Sequence, residues 1–216
     1  MDNSKRNKIK EQYMAYVLEH GHEPESIFKF AKKLKIEESE FYDNYNSFKQ
    51  INAEFWKHMV EETIIDIRKE EVYESYSVRE KLLSFLFTLI ENAKHNRSYM
   101  LKISEKLEKP FAMKPNADFH QAKEVFLDYM NELVVFGQET REIEPRTIPF
   151  LTSKYPDLVW MLILAIIDFW INDDSRLFEK TDTLIEKSVN TTMDWLGRTP
   201  FDSLLDLGKF LYQNKK

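Results

Sequence analysis

The sequence contains no cysteine. That excludes a disulfide framework, a thiolate metal site and a thiol nucleophile, and it fits a reducing, cytoplasmic setting. Glycine and proline are also scarce, with four and seven in 216 residues. A sheet protein of this length needs turn residues for every hairpin, whereas helices joined by short loops need few. The expected fold class is therefore all-α. The longest apolar run, 158–167, is closed off by Asp157, Asp168 and Asn172. Spanning a bilayer takes about 20 apolar residues, so no integral membrane segment is expected. Met1 to Lys10 is polar and has no apolar stretch, so no secretory signal is expected there. Positive charge is not in excess either, because the chain nets −6.

What is present is apolar and aromatic bulk, 43% and 14% of the residues. That is enough to bury a substantial core. Apolar residues recur at helical spacing along most of the chain. Ile9, Tyr13, Tyr16 and Val17 mark a first helix over Lys5–His20, ended by Gly21. A second is expected at Glu25–Leu34, a turn at Lys35–Glu37, a third helix at Glu38–Tyr45, and a fourth, capped by Ser47, at Phe48–Lys69. Further helices are expected at Ser77–Lys94, Ser98–Leu107, Asp118–Glu142, Leu158–Ile171 and Arg176–Leu196, with a last one opening at Thr199-Pro200. The total is about nine or ten helices. A small head over residues 1–50 and a larger domain over 51–216 are the expected divisions.

The chain offers little for catalysis. Its five histidines (His20, His22, His58, His95 and His120) are scattered without the i, i+4 pairing of a helical metal site. Four glycines cannot build a phosphate-binding loop. No enzymatic activity, metal or cofactor is expected.

Residues 9–51 resemble the helix-turn-helix of the TetR (tetracycline-repressor) family. Gly21-His22 stands where that family has glycine and an aromatic residue. Ser26-Ile27 and Phe30-Ala31 match its second helix. Ile36-Glu37-Glu38-Ser39-Glu40-Phe41-Tyr42-Asp43-Asn44-Tyr45 aligns with its recognition helix, Val-Ser-Lys-Gly-Thr-Leu-Tyr-x-x-Phe, and Ser47 and Ile51 continue the match. The resemblance implies a three-helix DNA-binding head on a C-terminal helical domain, transcriptional regulation, and contacts to operator DNA from Ser26, Lys29, Glu38, Glu40, Tyr42 and Lys49. The groove-facing positions depart from the family. Its lysine and threonine become Glu38 and Glu40, flanked by Glu37 and Asp43, and the turn glycine becomes Lys35. Residues 1–46 carry eight basic and nine acidic residues. Acids facing phosphate weaken binding, whereas Lys5, Arg6, Lys8, Lys10, Lys29, Lys32 and Lys33 are placed to contact backbone.

For the larger domain the same resemblance implies a pocket for a small hydrophobic ligand and a homodimer built on the penultimate helix pair. Candidates for the pocket are Phe85, Tyr99, Met100, Phe126, Tyr129, Met130 and Trp160, and a filled core is the alternative reading. Candidates for the dimer interface are Trp160, Ile163, Ile167, Trp170, Ile185 and Val189. Residues 164–194, including Asp168, Asp173-Asp174-Ser175, Thr181 and Val189, are also similar to the ubiquinone-biosynthesis lipid-binding proteins, which share the fold. They imply the alternative function, a lipid or hydrophobe carrier in which the helix-turn-helix is only scaffold.

Overall fold

The structure, a computed structural model, describes residues 3–104, 117–145, 154–197, 207 and 210–213. All regular structure among them is helical: α1 (Asn3–His20), α2 (Ile27–Leu34), α3 (Glu38–Tyr42), α4 (Phe48–Arg68), α5 (Val78–His95), α6 (Arg97–Ser104), α7 (His120–Glu139), α8 (Tyr155–Ile171) and α9 (Glu179–Leu196). The expected opening of a last helix at Thr199-Pro200, and the expected end of the sixth at Leu107, lie outside the described residues.

Caps set several of the boundaries. Ser26 opens α2 by accepting the Lys29 N–H on its hydroxyl at 3.2 Å, and Ser47 opens α4 by accepting from Gln50 at 3.3 Å. Ser77 and Glu80 cap α5 reciprocally, each side chain accepting the other's N–H at 3.3 and 2.8 Å. The helix expected from Arg176 instead begins at Glu179. Leu177 and Phe178 lie in the left-handed region, with φ of 55° and 64°, so helical dihedrals cannot run through them.

The described chain forms two compact units. The first comprises Met1–Thr63 and Leu89–Val125; the second comprises Ile64–Thr88 and Phe126–Lys216. In the first, α1 packs on α6. Tyr13, Val17, Phe30, Phe41, Ile51 and Met100 are buried there. In the second, α8 and α9 pack together. Leu82, Phe85, Phe126, Ile163, Trp170 and Ile185 are buried there.

The start of α9 depends on one carboxylate. Asp173 is 7% exposed. It accepts from the Ser175 N–H and hydroxyl at 2.9 and 2.6 Å, and from the Thr181 N–H and hydroxyl at 3.0 and 2.6 Å. Burial pushes its carboxyl pKa up, but the bonds from Ser175 and Thr181 outweigh burial and hold it well below the usual range. A folded pKa below the unfolded one gives stability that is present above the unfolded value and is lost as pH falls. Asp173→Ala is expected to lower the unfolding free energy by about 2–4 kcal/mol near pH 7, measured by chemical denaturation. A loss below about 0.5 kcal/mol, the level of an ordinary surface substitution, would contradict this role.

Candidate functional site

Helices of eight and five residues, such as α2 and α3, do not persist alone, because nucleation costs more than so few backbone bonds return. Here they are held by aromatic burial. The Phe30 ring meets Tyr13 at 6.1 Å, Tyr16 at 6.2 Å, Phe41 at 6.2 Å and Phe48 at 5.5 Å, all edge to face. Tyr13 stacks on Phe48 at 4.9 Å. The turn between the two helices needs a left-handed residue, and Lys35 supplies it with φ 58° and ψ 41°. The missing glycine therefore costs strain, about 1–2 kcal/mol, without changing the path. The Lys35 N–H reaches the Lys32 carbonyl at 3.2 Å and the Ile36 N–H reaches the Ala31 carbonyl at 3.1 Å, closing the end of α2.

The acids of α3 have local work. The Glu40 carboxylate accepts the Glu37 N–H at 3.2 Å, one arm of a capping box between these two residues. It also lies 3.3 Å from the Lys5 ammonium. The Glu37 N–H, followed by Lys5, lowers the Glu40 pKa. Glu38 is half-buried, and Tyr42 is 49% exposed. Ser26 is spent as the α2 cap, and Lys29 is paired with Glu25 one turn away. Lys49 is exposed, as are Lys8, Lys32 and Lys35, and none of the four has a carboxylate partner among the described residues. Lys35, at the turn between the two helices, is exposed and joins this basic set.

The other expected site residues are placed as follows. Phe85, Phe126, Tyr129, Met130 and Trp160 lie in the second unit, whereas Tyr99 and Met100 lie in the first. Phe126 meets Phe85 at 5.3 Å and Trp160 at 5.7 Å, and Phe85 stacks on Tyr129 at 5.4 Å. The Tyr129 hydroxyl is bonded to that of Tyr73 at 2.9 Å. In the first unit the Tyr99 hydroxyl donates to Asn52 at 2.8 Å. Trp160, Ile163, Ile167, Trp170, Ile185 and Val189 are all at most 6% exposed within the single chain, so they face its own core. The outward face of the same helix pair carries Leu158, Met161 and Phe169 from α8 and Trp195 from α9, between 40% and 62% exposed.

One cluster in the head is absent from the sequence reading. Arg6 donates to Glu54, with its Nε at 2.9 Å, and to the Asn44 carbonyl, and its guanidinium lies 4.1 Å from the centre of the Tyr45 ring. The Tyr45 hydroxyl donates to Glu54 at 3.1 Å, and Lys10 lies 3.6 Å from the same carboxylate. Arg6 and Lys10 are thus engaged in tying α1 and the end of α3 to α4. The signal was Glu54 itself, an acid beside Ile51 and Phe55, where an unpaired charge is seldom buried. Burial raises the Glu54 pKa, but the Arg6 guanidinium outweighs it and holds the carboxyl below its usual value. Its stabilisation is therefore present at neutral pH and lost as pH falls. Glu54→Gln is expected to cost about 1–2 kcal/mol near neutral pH, with the gap to the wild type narrowing as pH falls below about 4 in denaturation series. A gap independent of pH would contradict a charged Glu54.

Comparison with known proteins agrees with this architecture. Residues 81–211 match the family of tetracyclin repressor-like C-terminal domains. The fold resembles the solved structure of a protein with unknown function from Rhodococcus sp. RHA1, with a TM-score of 0.57, 11% identity, and coverage of 90% of this chain and 96% of that one. No curated protein matches the chain. The match over more than half of the chain places it in the TetR (tetracycline-repressor) family of regulators, with that family's all-α fold.

Proposed function

We propose that this chain is a homodimeric, ligand-responsive transcriptional regulator acting in the cytoplasm. Residues 1–50 read operator DNA, and residues 51–216 hold the ligand and the second copy. The observation that carries this reading is the α2–Lys35–α3 turn, a helix-turn-helix kept at full geometry although the turn lacks glycine. The acids that argued against DNA are partly consumed by the fold, since Glu37 and Glu40 cap α3 and Glu40 is further neutralised by Lys5. Tyr42 and Glu38 remain for base edges, and Lys49, Lys8, Lys32 and Lys35 for phosphates.

The second copy covers the outward face of α8 and α9. Leu158, Met161 and Phe169 follow one another at helical spacing, and Trp195 on α9 lies at the Leu158 end of the helical hairpin. Exposed apolar side chains in a row suit a self-complementary interface, in which each copy presents the same patch. The ligand is a small hydrophobic molecule taken up by the aromatic-rich second unit. A lipid carrier with a silent head is the less supported reading, because the α2–Lys35–α3 turn is retained.

Two variants test the reading at separate surfaces. Glu38→Lys is expected to tighten binding to a duplex of the gene's own upstream region, and Lys49→Ala to weaken it and reduce its salt slope by about one. Affinity unchanged in both would remove the head from the DNA interface. Leu158→Glu combined with Trp195→Glu is expected to convert a dimer into a folded monomer in sedimentation. A persistent dimer would place the interface elsewhere.

A further inference from the structure

The end of α1 brings together two histidines that stand outside every role assigned above. The helix stops at His20. Gly21 then turns the chain with φ 74°, and its N–H reaches the Val17 carbonyl at 2.8 Å. A turn with positive φ suits glycine. It leaves His22 beside His20, with ring centres 6.2 Å apart and both side chains exposed. A spacing of two is not the helical i, i+4 pairing, so only the turn makes these residues neighbours.

Hydrogen bonds fix the state of each ring. His20 Nδ1 lies 2.9 Å from the Tyr16 carbonyl, and His22 Nδ1 lies 2.7 Å from the Glu23 carbonyl. A carbonyl has no proton to give, so Nδ1–H is the donor in both rings. In the neutral ring the lone pair is therefore on Nε2. Neither Nε2 has a hydrogen-bond partner among the described residues. His20 is held further by stacking on Tyr16, with ring centres 4.0 Å apart and planes within 5°. Metal-binding histidines share this arrangement, one ring nitrogen tied to a carbonyl and the other left for the ion.

Distance permits a shared ion. Two imidazoles on one metal have ring centres at most about 6.4 Å apart, given metal–nitrogen bonds of about 2.0–2.1 Å. A tetrahedral angle asks for about 1 Å of closer approach, which exposed side chains supply by rotation. Among the described residues no set of three such donors is already assembled. Glu25 is paired with Lys29, and Glu19 lies 3.7 Å from Lys33. The protein's donors are thus two imidazole nitrogens, and water completes the shell. Imidazole suits copper, nickel and zinc, whereas magnesium and calcium take oxygen ligands.

We propose that His20 and His22 hold one divalent transition-metal ion through their Nε2 atoms. Copper(II) binds most tightly, and nickel(II) and zinc(II) follow, in the usual order for nitrogen ligands. The site depends neither on DNA binding by the head nor on a ligand in the larger domain.

Calorimetry and electron paramagnetic resonance of the full chain with copper(II) test this. One ion per chain is expected, with the coupling of two imidazole nitrogens in the resonance spectrum, and magnesium is expected not to compete. His20→Gln and His22→Gln, both surface changes, are each expected to weaken copper at least about tenfold, the least that loss of a ligand's supporting partner costs. Their melting temperatures without metal are expected to match the wild type. His58 lies 3.0 Å from Glu62 on α4 and is the control for a stray surface histidine. His58→Gln is expected to leave affinity and spectrum unchanged. No copper binding, full affinity in either the His20 or the His22 variant, or loss of the signal in the His58 variant would overturn the proposal.

Discussion

The head depends on the burial of the Phe30 ring. α2 and α3 are too short to hold their own shape, and the turn between them forces a lysine into a left-handed conformation. Both demands are met by four aromatic neighbours that converge on Phe30 from α1, α3 and the start of α4. Edge-to-face rings contribute energy beyond their buried area, and they fix angles between short helices that aliphatic packing would leave looser. With the ring in place, the αL strain at Lys35 is small against the burial that maintains it.

The same economy governs charge. A helix as rich in glutamate as α3 looks hostile to DNA when its residues are counted one by one. In the fold, Glu37 and Glu40 close the first turn of α3 on themselves, and Lys5 joins them from α1. Arg6 and Lys10 look like phosphate contacts when counted, yet they serve Glu54. The charges left facing outward are therefore a different set from the charges in the composition, and they include Lys8, Lys32, Lys35 and Lys49.

Much of the fold could be read from spacing. Gly21 and Ser47 punctuate the helices where the structure ends and begins them, whereas Ser26 and Ser77, expected inside their helices, stand just before them as caps. Other features left no one-dimensional trace. α8 is apolar on nearly every side, so periodicity could not say whether Trp160 and Ile163 or Leu158 and Met161 face inward; packing on α9 selects the first pair. The left-handed Leu177 and Phe178 interrupt a run whose residues all tolerate a helix, and Asp173 accepts the Thr181 N–H in the first turn that follows. The Arg6–Glu54 contact joins residues 48 positions apart, a separation at which only the fold brings charges together. Tyr99 was grouped with Phe126 by residue type alone, and the chain places them in different units.

The most direct measurement is the affinity of the wild-type chain for a duplex of its own upstream region, read by fluorescence anisotropy across a salt series and set against random duplex. The account predicts preference for the upstream sequence, with log affinity falling linearly in log salt at a slope set by the few phosphates its free lysines reach. Absence of binding even at low salt would contradict it, and the helix-turn-helix would then be scaffold without a DNA role.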